Sequence, residues 1–216
     1  MGPKLSVYEI IAYTVPGALL IALVLYTDKS LGILQITIDD LNSLSWVPLL
    51  FLFVFSYALG IILDRFARLW QHRFFRKHEN AQETFQFFKR VHPDLKIYFQ
   101  PKDWPILLSF LRLRYPNWVV ESIEYHNASN IMLRNLSLLS VFLSLIQISL
   151  CFESNETLVH LIVAFLALVA SVLLGKESAR RKRWFYFTLY ETITASSLSS
   201  DDMVHFERIS LSQENS

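Results

Sequence analysis

Charge, glycine and cysteine are all scarce in this chain. Of its 216 residues, 18% are Asp, Glu, Lys or Arg, below the roughly 25% of an ordinary soluble domain. With 53% hydrophobic residues, that shortfall excludes a disordered chain, a disulfide-stapled secreted domain and an ordinary cytosolic enzyme. Cys151 is the single cysteine, so neither an internal disulfide nor a thiolate metal cluster can form within one chain. Five glycines leave little material for a phosphate-gripping loop, and no HExxH, phosphate-loop or dinucleotide glycine pattern is present. The apolar stretches hold no carboxylate pair, which leaves transport by buried acids without support. The sequence thus assigns no catalytic, cofactor-binding or metal-binding residue and implies no cofactor.

What is present is a set of long apolar runs. A hydrocarbon core about 30 Å thick takes roughly 20 helical residues. Four windows come close: 8–26, 44–63, 131–152 and 158–175. Four such windows in one chain leave no polar face to wet a soluble domain. The fold class predicted is therefore all-α, an integral membrane protein with four transmembrane helices. A small, mostly helical cytoplasmic region separates helices two and three. The organisation is an N-terminal helix pair (1–63), a basic cytoplasmic helical region (64–130), a C-terminal helix pair (131–175), and a basic juxtamembrane segment with a polar flexible tail (176–216). The first run lacks a small-x-small cleavage site before "TDKS" and reads as an uncleaved anchor.

Orientation follows the bases. The loop 27–43 has Lys29 against Asp28, Asp39 and Asp40, and the loop 153–157 has Glu153 and Glu156 with no base. The segment 64–130 carries 11 Lys or Arg, and "KESARRKR" follows the fourth span. Basic segments stay in the cytoplasm, so both termini and the central region are expected there, in a plasma or inner membrane.

In the central region, Phe74, His78, Ala81, Phe85 and Phe88 fall at helical spacing. Such a helix can lie on lipid, continue the second span, or pack against the rest of the region. Pro93 is expected to end it, with "LKIYF" a short strand or connector. Asp103 is the expected N-cap of a helix over "WPILLSFLRLRYP", closed by Pro116. From Trp118 no Pro or Gly intervenes before the third span, which predicts one long helix.

The third span carries a polar face. Ser137, Ser140, Ser144, Gln147 and Cys151 recur at steps of three and four, a single helix face. Glutamine at membrane depth is costly without a partner. The face is either a helix interface, where serine permits close approach, or the lining of a polar path. His160, Ala164, Ala167 and Ser171 form a matching small face in the fourth span. Ser56 and Gly60 form a small-x-x-x-small pair, Pro16–Gly17 predicts a bend, and Asp64 can meet Arg134 at the inner boundary.

Arg65 and His72 in "RFARLWQH" have a spacing that resembles the Arg-x(4-6)-His arrangement of HEPN-type ribonucleases. The usual polar residue after the arginine is missing and the stretch starts at the lipid boundary, so no catalytic role is carried over. Arg180, Arg181, Lys182 and Arg183 are expected to contact anionic lipid headgroups rather than nucleic acid. The function expected is a non-enzymatic membrane component that self-associates, as a homo-oligomer or with another membrane subunit, and couples a cytosolic signal or partner to a membrane output such as a pore. The alternative is an anchor or scaffold for a cytosolic complex. A lipid-modifying enzyme lacks an active-site set.

Overall fold

The computed structural model describes residues 7–31, 46–75, 81–93, 97, 99–152 and 156–195. It is all-α, with α1 (Val7–Leu31), α2 (Trp46–Phe75), α3 (Ala81–Val91), α4 (Trp104–Arg114), α5 (Asn117–Leu150) and α6 (Thr157–Ala195) in chain order. Four of these, α1, α2, α5 and α6, are long and apolar enough to cross a membrane. The chain is a multi-pass membrane protein with short helices between its second and third spans. It divides into two compact units, 1–76 with 128–179 and 77–127 with 180–216. Helices α5 and α6 contribute residues to both.

The long helices outrun the bilayer. At 1.5 Å per residue the 39 residues of α6 extend about 58 Å, nearly twice the hydrocarbon thickness. Sequence reasoning ends this span near Gly175, because "KESARRKR" is too polar for lipid. The helix nevertheless continues to Ala195. Nothing in 176–195 breaks it, since that stretch contains no Pro or Gly.

In the first unit, α1 and α2 meet backbone to backbone. A Cβ added at Gly17 would collide with the carbonyl oxygen of Ser56, and one at Gly60 with that of Tyr13. The Ser56–Gly60 pair of α2 thus faces Gly17 of α1. The rings of Tyr13 and Tyr57 close the contact edge to face, with centroids 5.8 Å apart. Pro16 lies inside α1, which continues through it. Of the apolar window of α5, 44% is buried, against 17–22% for the other three. Helix α5 is therefore the inner helix of this unit.

The second unit has a core of its own, built on aromatic side chains. Phe85 and Phe88 of α3, Leu107 and Leu111 of α4, Ile123 of α5 and Tyr190 of α6 are all buried in one cluster. The helical stripe expected from Phe74 onward is divided. Phe74 belongs to α2 and is exposed, Ala81, Phe85 and Phe88 belong to α3, and His78 lies outside the described residues. Helix α3 ends at Val91, with the His92 N–H still bonded to the Phe88 carbonyl (3.0 Å) and Pro93 next. Ile97 and Phe99 are neither helix nor strand. Asp103 stands at the N-cap of α4 but does not cap it: its carboxylate accepts the Gln100 N–H at 2.7 Å instead. Tyr115 is extended (φ −109°, ψ 154°), as the residue before Pro116 must be, and this ends α4.

Candidate functional site: polar clusters of the membrane unit

The first unit buries its polar groups, and they fall into two clusters. The one nearer the arginine-rich end of α2 centres on Asp64, which is 1% exposed. Arg134 of α5 donates to one carboxylate oxygen through Nε (2.9 Å) and Nη2 (2.6 Å). Arg68, one turn along α2, donates to the other through Nε (2.9 Å) and Nη2 (2.7 Å). A single carboxylate thus serves two guanidiniums, each converging two N–H donors on one of its oxygens, which leaves the group with one net positive charge. The Asp64–Arg134 contact is among those the sequence suggests. The second guanidinium was missed, although an acid and a base four residues apart on a helix is its signal.

Beside it, Ser178 of α6 joins three helices. Its hydroxyl accepts from Gln71 Nε2 (3.0 Å) and Asn130 Nδ2 (2.9 Å) and donates to the Asn130 carbonyl (2.9 Å). Next along α5, Ser137 and Ser171 are mutually bonded. Each hydroxyl donates to the other's backbone carbonyl at 2.8 Å. Trp70 Nε1 also donates to the Ser137 hydroxyl at 3.1 Å.

The second cluster is nearer the α5–α6 connection. Ser144 donates to the Ala164 carbonyl at 2.9 Å, and Ala164 itself is buried. Gln147 uses both ends of its amide: Nε2 donates to the Tyr26 hydroxyl of α1 (3.0 Å), and Oε1 meets His160 Nδ1 at 2.6 Å. Cys151 Sγ points back to the Gln147 carbonyl at 3.2 Å.

Of the residues singled out in the sequence, Ser137, Ser144, Gln147, His160, Ala164 and Ser171 come together between α5 and α6, and Ala167 is buried beside them. Ser140 does not join them: its hydroxyl turns back to Leu136 of its own helix at 2.9 Å. In the cationic run, Arg180 and Arg183 are exposed, while Arg181 is half-buried with its guanidinium 5.9 Å from the centre of the Tyr125 ring. The aromatics that follow, Phe185, Tyr186 and Tyr190, are core residues of the second unit. Asn130, Gln71, Ser178 and Tyr26 escaped sequence reasoning because only their contacts, 48 to 121 residues away, set them apart.

Some buried polar atoms have no protein partner, among them both side-chain atoms of Asn135, Gln71 Oε1 and Tyr190 Oη. Tyr190 lies beyond the apolar run of α6, and burial raises its phenol well above the ordinary value. His126, also in the second unit, is lowered by burial and by the neighbouring charge of Arg181. An open groove of about 410 Å³ between α1 and α5, lined by residues such as Leu20, Val24, Phe142 and Ile146, is almost wholly apolar.

Chemically, the groups at the centre of each cluster are satisfied, although Gln71 Oε1 at the edge of the first has no protein partner. Asp64 is held by two cations and Gln147 is bonded at both ends, so neither presents a reactive group. Among the described residues no cluster of His, Cys, Asp and Glu could hold a metal ion. Known protein families, curated proteins and solved structures contain no match to this chain.

Proposed function

We propose that this chain is a non-enzymatic membrane anchor or scaffold subunit, with the second unit as the module a cytosolic partner engages. The observation that carries this reading is the use of the α5 polar face inside the chain. Ser137, Ser144 and Gln147 each bond to α1 or α6 of the same molecule. A pore lined by several copies would need that face free. A polar residue at membrane depth that finds its partners within the chain acts as packing adhesive. The distribution of Lys and Arg supports a cytoplasmic second unit and cytoplasmic termini. Arg180 and Arg183, both exposed, suit anionic headgroups just past the fourth apolar run.

The test uses Gln147→Leu and Gln147→Glu beside the parent, reconstituted in liposomes. The parent is expected to carry no ion flux. Leu should insert and cost about 1 kcal/mol, the size of an interhelical bond in lipid. Glu should be worse than Leu, because a charge would enter a dry contact where the Tyr26 hydroxyl and the His160 ring offset only part of its desolvation. A stable glutamate variant that conducts with cation preference would overturn the anchor reading and favour self-association with a pore as output.

A further inference from the structure

Helix α2 changes character along one exposed face. Ala58, Ile61 and Ile62 are exposed and apolar, and the same face then presents Arg65, Arg68 and His72. Steps of three, four and seven residues keep these three side chains within about 60° of one another around the helix. The only carboxylate of α2, Asp64, is 1% exposed and turned inward, and of the two arginines on this face it is bonded to Arg68. Arg68 differs from an ordinary surface arginine. Its Nε and Nη2 are fixed on Asp64 while 64% of its side chain remains exposed. Because Arg134 also draws on that carboxylate, the pair cannot neutralise both guanidiniums.

We infer that this face of α2 is a binding site for an anionic phospholipid, its phosphate held by Arg65, Arg68 and His72 and an acyl chain lying along Ala58, Ile61 and Ile62. A phosphate needs donors at the level where the apolar run stops, and both guanidiniums supply them. Fixing Arg68 on Asp64 removes rotamer freedom that would otherwise be lost on binding. The arrangement suits an amphiphile better than a free anion, because apolar and cationic surface follow each other on one helix. The inference stands apart from the anchor reading, since a conducting protein could hold the same lipid.

The experiment incorporates the full chain into nanodiscs of phosphatidylcholine and phosphatidylglycerol at a 3:1 ratio, releases it into mild detergent, and counts retained lipid by native mass spectrometry. The parent should retain phosphatidylglycerol preferentially. Arg65→Gln and Arg68→Gln should each lower that retention about fivefold, the weight of one base near an anionic surface. Arg68→Lys should fall between, since it keeps the charge and loses the two converging N–H donors to Asp64. Arg114→Gln, in the second unit, should leave retention unchanged. Should Arg68→Gln not fold, Arg65→Gln and His72→Gln still decide the matter. Parent-like retention in the Arg65 and Arg68 variants, or an equal loss in Arg114→Gln, would overturn the site. Displacement of the lipid by millimolar inorganic phosphate would overturn the lipid assignment and leave a free-anion site.

Discussion

The two units solve the same packing problem differently, the membrane unit adding many buried polar groups to its apolar clusters around Leu63 and Ile131. The second unit buries Phe88, Leu111 and Tyr190 and exposes Glu121, Lys89 and Arg90, the order that water imposes. The membrane unit exposes Phe51, Leu69 and Phe165 and buries Asp64, Asn130, Ser137 and Ser171. Lipid supplies no hydrophobic drive between helices, so small side chains and hydrogen bonds must hold them. Residues α5 and α6 contribute to each unit follow the rule of their own surroundings. In α6, the face that carries Ala164, Ala167 and Ser171 gives way to Phe185, Leu189 and Ile193. What counts as a core residue is therefore set by the solvent outside.

The strongest way to break this comparison is Asp64→Leu, which strands the buried Arg134 guanidinium. We expect a loss of about 3–5 kcal/mol in detergent, read as a lower melting temperature. The double variant Asp64→Leu with Arg134→Met should recover most of it, because it removes both charges and leaves apolar volume. A harmless single variant would mean the membrane unit does not depend on its polar interior.

In the second unit the corresponding change is apolar. Leu111→Ala should cost about 3 kcal/mol through lost burial and a residual cavity. Limited proteolysis should show cuts confined to this unit while membrane insertion proceeds normally. Cleavage spread equally over both units would deny their separate cores.

A smaller effect is expected where backbones touch. Gly17→Ala must separate α1 from α2 at Ser56 and should cost about 2 kcal/mol, seen as reduced thermal stability of the detergent-solubilised protein. Ala18→Val, at the exposed neighbouring position, serves as the control and should change little.

The smallest effect should have the opposite sign. Tyr190 Oη is buried without a partner, so Tyr190→Phe removes an unsatisfied polar atom at almost constant shape. It should be neutral or stabilise the second unit by up to about 1 kcal/mol. A clear loss of stability would reveal a hydrogen bond to bound water.

Apolar length and the placement of Lys and Arg made the four spans legible in the sequence, because both report directly on the solvent each segment needs. Pro93 and Pro116 likewise announced the ends of α3 and α4 through their missing N–H and steric demands. Gln147 could be picked out by its cost in lipid, but its partner Tyr26 could not. Any tyrosine near a span end suits that role equally well. The extension of α6 beyond Gly175 was obscured by its four consecutive bases. Yet Phe185, Tyr186, Leu189, Tyr190 and Ile193 repeat at helical spacing, and that period is the signature of the buried stripe they form. Ser140 shows the reverse error. It shares the spacing of the polar face, yet its hydroxyl is satisfied within its own turn, and periodicity cannot see a rotamer.

Ser178 has a consequence for how the chain assembles during synthesis. Its single hydroxyl proton and both acceptor sites are taken up by Asn130 and Gln71. Helix α6 emerges last of the four long helices and must find its depth against partners already inserted. A slip of one turn would bring Leu174 or Lys182 to this point in place of Ser178. Leucine would leave the Gln71 amide without its acceptor and Asn130 with the backbone carbonyl alone, and lysine would place an ammonium against their donor hydrogens. Each misaligned insertion is thus penalised at Ser178, which adds to the Ser171, Ala164 and His160 contacts that fix the register of α6 against α5.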